Sequence, residues 1–247
     1  MQRQSTTPDV HSEALLLSRV SKRFGTRLAL DSIDLQVRAG EIVCLLGANG
    51  AGKTTTIKVL LGFLEPDDGS ATVVGHAPGT REARRAIGFV PEAVALYPKL
   101  TGIENLAFLH SLNGSGVASS EQLHAALADV GLDRAAAERR AEAYSKGMRQ
   151  KVGLAAALMK RAQVLILDEP LSGLDPDAAN QFQALLRAGA AQGAAVLMAT
   201  HDIFRAKEIA TRIGIMRGGR LIDLLDAADV GHSDLEALYL KHMRLAA

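Results

Sequence analysis

In Gly47-Ala48-Asn49-Gly50-Ala51-Gly52-Lys53-Thr54-Thr55 the first eight residues follow the pattern G-x-x-x-x-G-K-[ST], and the segment lies between an apolar run at 41–46 and a helical stretch from 53 to about 63. Glycines in this spacing let backbone N–H groups converge on an anion without interference from Cβ atoms. A lysine at the helix start adds positive charge, and the helix dipole favours negative charge at the same place. The segment reads as a phosphate-binding loop in which Lys53 neutralises outer phosphates and the Thr54 hydroxyl ligates Mg²⁺. Strand, loop and helix occur in the order that an α/β core requires.

Composition narrows the field. At 247 residues the chain is long enough for one large core, and 48% hydrophobic with 22% charged residues excludes a disordered or fibrous chain. Aromatics are 4% with no Trp, which weighs against a base-stacking surface. Lys plus Arg (28) balance Asp plus Glu (27), so there is no DNA-wrapping footprint, and no nucleic-acid partner is expected. A single cysteine, Cys44, sits inside an apolar strand, where a packing role and a reducing compartment are expected. The first 13 residues are polar, and the longest apolar runs fall short of the ~20 residues that span a bilayer. A soluble chain is expected, with any membrane role exercised through a partner.

Along the chain, residues 1–12 read as a loose tail. Residues 14–20 and 28–37 read as strands joined by a turn at Gly25-Thr26. From about 93 to 161 the texture is nearly all helix, broken at Asn113-Gly114-Ser115-Gly116, with a capping box at Ser119 and Gln122. Strand and helix then alternate again: 163–167, 176–188, 194–200, 203–210 and 213–216. This reads as an α/β core interrupted by a helical subdomain.

Four further segments carry chemistry. The strand at 164–167 delivers Asp168 and Glu169 at its carboxyl end. Beside a phosphate loop, Asp168 reads as a Mg²⁺ holder and Glu169 as the general base that polarises water. Ser145, ahead of Lys146-Gly147-Met148, either caps an ordinary helix or opens a second anion site. Ser172-Gly173-Leu174-Asp175 follows the acidic pair. His201, after an apolar strand, is a loop residue or a group that contacts a γ-phosphate or holds the water and its base in line.

Together these segments resemble the nucleotide-binding domain of ATP-binding-cassette (ABC) proteins over residues 14–223. In family order stand an aromatic loop (Phe24), Walker A (47–55), a Q-loop region (Gly88-Phe89-Val90-Pro91-Glu92), a signature (144–150), Walker B (164–169), a D-loop (Ser172 to Asp175) and an H-loop (His201). The resemblance implies a P-loop NTPase core with a mixed sheet, an antiparallel N-terminal β subdomain and an inserted α-helical subdomain at about 93–161. It implies a cassette over 13–223 followed by a short helical extension at 224–247.

It further implies a head-to-tail dimer around two ATP. Walker A of one copy and Ser145, Lys146, Gly147 and Met148 of the other would enclose each nucleotide, with Phe24 stacked on adenine. Mg²⁺ would be held by Thr54, Asp168 and Glu92. Glu92 stands where the family usually has Gln, and Lys146 and Met148 replace a Gly and a Gln. The Tyr-Ser-Lys-Gly-Met-Arg-Gln version, with Leu96-Tyr97-Pro98, resembles the exporter branch called ABC-2 type, whose membrane-spanning subunits are separate chains. The expected location is then peripheral, at the cytoplasmic face of the membrane. The competing readings are a soluble ABC ATPase of iron–sulfur assembly, translation or repair, and a non-hydrolysing scaffold. Glu169 and His201 weigh against the scaffold; the spacing between Lys53 and Ser145, without heptads, weighs against chromosome-organising relatives.

Overall fold

In the computed structural model, which describes residues 13–112 and 116–244, the central strands are buried at every position because both of their faces are covered. The expected tail at 1–12 and the break at Asn113-Gly114-Ser115 lie outside the described residues. Strands β1 (Glu13–Phe24) and β2 (Arg27–Arg38) form an antiparallel hairpin. After β3 (Ile42–Leu46) and α1 (Lys53–Leu60), β4 (Asp68–Val73) joins the free side of β1, giving a three-stranded sheet ordered β2-β1-β4. β1 runs past the expected limit of residue 20. It continues through polar residues because register shifts near Val20 and Lys22 break its alternation while pairing persists.

The second sheet has six strands in the order β5-β6-β7-β3-β8-β9. Its remaining members are β5 (Ile87–Val90), β6 (Val164–Asp168), β7 (Ala195–Thr200), β8 (Arg212–Arg217) and β9 (Arg220–Asp226). All neighbours are parallel except β8 and β9. Successive side chains point to opposite faces, and the core divides accordingly. Val43, Leu45, Val164, Ile166, Leu197 and Ala199 join Leu15, Leu17 and Ile57 in the cluster shared with the N-terminal sheet and α1. Ile42, Cys44, Leu46, Leu165, Leu167, Val196 and Met198 face the helices on the other side. Burial pushes the Cys44 thiol far above its usual range, in keeping with packing.

α2 (Arg81–Ala86) precedes β5, and between β5 and β6 lies the helical insertion: α3 (Gly102–Leu112), α4 (Ser120–Asp129), α5 (Arg134–Ala137) and α6 (Lys146–Met159). Ser119 and Gln122 form the expected capping box, with Ser119 N donating to Gln122 Oε1 at 2.9 Å. Leu106, Leu123, Leu127, Val152 and Leu154 supply the buried faces. Residues 93–101 are not helical, contrary to expectation. The Asn105 side chain, 1% exposed, accepts from Tyr97 N and donates to the carbonyls of Tyr97, Leu100 and Thr101. One carboxamide thus satisfies the loop's polar groups, and Pro98 within it disfavours a helix.

The remaining helices are α7 (Pro176–Ala191), α8 (Ile203–Ile209) and α9 (His232–Arg244). Among the described residues no helix is long and apolar enough to cross a membrane.

Candidate nucleotide site

Because β7 lies between β3 and β6, parallel register places Leu46 beside Thr200 and Asp168 beside Ala199. Three loops therefore leave one edge of the sheet from adjacent strands: the glycine loop after β3, Glu169 after β6, and His201 after β7. This carboxyl edge is where open α/β sheets hold ligands.

The glycine loop is tied to its neighbour by Gly47 N, which donates to Thr200 O at 3.3 Å. Gly52 takes φ 111° at the N-cap of α1, a conformation closed to residues with a Cβ, and no side chain caps the helix. The first-turn N–H groups of α1 are left facing an anion's position. Lys53, 5% exposed, donates to Gly47 O at 2.6 Å and Ala48 O at 3.3 Å, and stands 3.7 Å from Glu169 Oε1. A cleft of about 320 Å³ is lined by Phe24, Arg27, Ala29, residues 48–55, Glu92 and Glu169.

Glu169 is held from three directions. Its N–H donates to Ala199 O at 2.9 Å, its Oε2 lies 2.9 Å from His201 Nδ1, and its Oε1 faces Lys53. Its backbone takes φ 48°, left-handed for a non-glycine residue, immediately before Pro170. Such a conformation costs about 1–3 kcal/mol and persists only where the surroundings impose it. The result is a mostly buried carboxylate (11% exposed side chain) beside an imidazole that is 60% exposed.

Asp168 is 7% exposed. Burial pushes its carboxyl above the usual range, and the charges of Glu169 and Glu92 act the same way, against the Thr54 hydroxyl and Lys53. Carboxylate and hydroxyl oxygens side by side are the donors that a small hard divalent cation takes, so Thr54 and Asp168 fit Mg²⁺. Asp168→Asn keeps the shape and removes a buried charge. We expect the melting temperature without nucleotide to rise, by about 2–4 °C for each kcal/mol of relieved desolvation in a chain of this size, while stabilisation by ATP with Mg²⁺ over ATP with EDTA disappears. Thermal scans under the three conditions check this; an unaltered Mg²⁺ increment would remove Asp168 from the cation site.

The other expected site residues lie outside this cleft. Ser145 caps α6, accepting from Met148 N at 3.2 Å, and is exposed with Lys146, while Gly147 and Met148 are half-buried. Asp175 caps α7, accepting from Ala178 N at 2.8 Å ahead of Pro176. Ser172 accepts from Lys146 Nζ at 3.2 Å. The fold thus collects Walker A, Walker B, Phe24 and Glu92 in one place and presents the signature elsewhere on the same chain. Arg27 and Ala29 in the cleft went unread in the sequence; the available signal was the short hairpin that places the start of β2 beside Phe24.

A protein-family model described as "ABC transporter" matches residues 30–172, more than half of the chain. The chain belongs to the ABC transporter ATP-binding family. An uncharacterized ABC transporter ATP-binding protein of Bacillus subtilis (strain 168) is 37% identical over 217 residues, covering 87% of this cassette and 68% of that protein. The Nod factor export ATP-binding protein I of Burkholderia lata is 39% identical over 209 residues, covering 82% and 67%. Among solved structures, the dimer of an ATP-binding cassette in a post-hydrolysis state, bound to ADP and Pi, matches with a TM-score of 0.78 at 25% identity. That match covers 86% of this cassette and 98% of that chain.

Proposed function

We propose that this cassette hydrolyses ATP in a head-to-tail pair of cassettes and drives export through separate membrane-spanning subunits. The observation that carries the reading is the contact series Lys53–Glu169–His201, at 3.7 and 2.9 Å, at the mouth of the glycine loop. Backbone N–H groups of the loop and Lys53 bind the β- and γ-phosphates, and Phe24, at the rim of the cleft, stacks on the base. Mg²⁺, held by Thr54 and Asp168 with Glu92 nearby, supplies neutralisation of phosphate charge when bound. Glu169 takes a proton from water as the water oxygen bonds the γ-phosphorus and the bond to the bridging oxygen breaks, releasing ADP. His201 fixes Glu169 and reaches the γ-phosphate.

Ser145 and Gly147 complete the site of the neighbouring copy, which explains their place outside their own chain's cleft. The similar dimeric cassette bound to ADP and Pi supports this pairing. For the membrane subunits, the groove beside the Glu92 loop offers Leu96, Leu109 and the edge-to-face pair Tyr97–Phe108, whose ring centroids are 5.0 Å apart. It suits an amphipathic segment from the cytoplasmic side of a membrane protein. The similarity to a Nod factor export ATP-binding protein supports the outward direction.

Turnover per chain is expected to rise with protein concentration and then saturate, since each site needs two chains. Phosphate release measured across a dilution series from micromolar to nanomolar protein tests this. Constant turnover per chain on dilution would place a complete site within one copy and end the proposal.

A further inference from the structure

One stripe of α6 grips the loop that carries Glu92. Residues 146, 150 and 153 stand at i, i+4 and i+7 and so share a helix face. Lys146 Nζ lies 3.9 Å from Glu92 Oε1. The Gln150 carboxamide, in a residue 1% exposed, donates to Glu92 O at 2.7 Å and Pro91 O at 3.3 Å. At Gly153 a methyl group would meet Val94 Cγ2 at 2.6 Å, so the missing side chain is what admits Val94. The segment from Pro91 to Val94 is thereby held at three levels: a charge, two backbone acceptors and an apolar contact. Lys146 also donates to Ser172, which follows the acidic pair of the same chain.

The exposed ion pair contributes little by itself, whereas a buried donor with two backbone acceptors is costly to break. Gln150 Oε1 is buried and has no partner among the described residues. A buried acceptor without a donor favours any rearrangement of the loop that brings one in.

Resting on the two-copy reading above, we propose that Gln150 is a positioning residue coupling the two nucleotide sites. It makes α6 and the Glu92 loop one body. When the amino end of α6 closes on nucleotide held by the neighbouring copy, Glu92 moves in its own chain's cleft. Binding at one site then sets the geometry of the other, which appears as cooperativity in ATP.

Gln150→Leu keeps the bulk and removes the donor. ATP hydrolysis by the purified full chain should show a Hill coefficient above 1 that falls to about 1 in the variant, against a maximum equal to the number of sites. The Mg²⁺ concentration for half-maximal rate should rise about 3- to 10-fold as Glu92 loses its position. Binding of a fluorescent ATP analogue at protein concentrations too low for pairing should stay unchanged. A merely structural residue would lower the melting temperature without moving the Hill coefficient or the Mg²⁺ dependence.

A folded Gln150→Leu chain with the parent's Hill coefficient overturns the coupling, as does a parent coefficient of 1. If Gln150→Leu does not fold, Gln150→Met, an unbranched and flexible side chain that also lacks the donor, decides by the same Hill coefficient and Mg²⁺ dependence, and a parent-like coefficient in it overturns the coupling. Failure of the two-copy reading is distinguishable: turnover per chain would then be independent of protein concentration in the parent itself.

Discussion

Glu169→Gln lowers ATP turnover by about 10²- to 10⁴-fold, the range for loss of a positioned general base, while ATP-bound pairs accumulate. The amide fills the same volume, so it keeps the contact with His201 and disturbs neither the bond from its N–H to Ala199 O nor the left-handed backbone. It cannot take a proton from water. It also removes one negative charge from beside Lys53, where the γ-phosphate is proposed to lie, so nucleotide is held more tightly in the variant. Phosphate release gives the rate, and gel filtration with ATP and Mg²⁺ gives the association state. Hydrolysis at the parent rate would take the base assignment away from Glu169, and an unchanged elution volume would deny that hydrolysis is what separates the copies.

Lys53→Ala weakens ATP binding by about 10- to 100-fold, the equivalent of losing a charge-assisted hydrogen bond worth about 1.5–3 kcal/mol. The same change strips the Gly47 and Ala48 carbonyls of their buried donor and leaves the largely buried Glu169 with His201 as its remaining side-chain partner. A lower melting temperature is therefore expected even without nucleotide. Titration with a fluorescent ATP analogue reads the affinity, and the thermal scan reads the stability. Unchanged affinity would mean that the glycine loop does not hold phosphate.

The runs at 41–46, 164–167 and 194–200 were legible as strands because both sheet faces are covered, so all positions but the terminal Glu41 and Thr200 are apolar. Local reading failed where a single distant contact replaces helical hydrogen bonding. Residues 93–101 look helical in composition, yet the Asn105 carboxamide supplies their backbone partners. β1 outlasts its own alternation because pairing with β2 and β4 continues across the register shifts. Glu169 carried its chemistry visibly in the sequence, but nothing local announced a left-handed backbone before a proline. Gln150 read as part of a signature; that its carboxamide reaches Pro91 and Glu92, nearly sixty residues earlier, is a property of helix packing.

What the sequence determined by itself was chemistry in order: a glycine loop that must hold an anion, an acidic pair that must end a strand, a histidine after another strand, and hydroxyls and carboxylates that start helices. These are consequences of residue type and of contacts within a few positions. What only the tertiary structure decided was adjacency. Strand β7 could have paired with several apolar strands of the same period, because alternation sets which face a side chain takes and not which neighbour the strand finds. The packed sheet has the order β6-β7-β3, and that order brings Glu169, more than a hundred residues along the chain from Lys53, within reach of its ammonium group, with His201 against the other carboxylate oxygen.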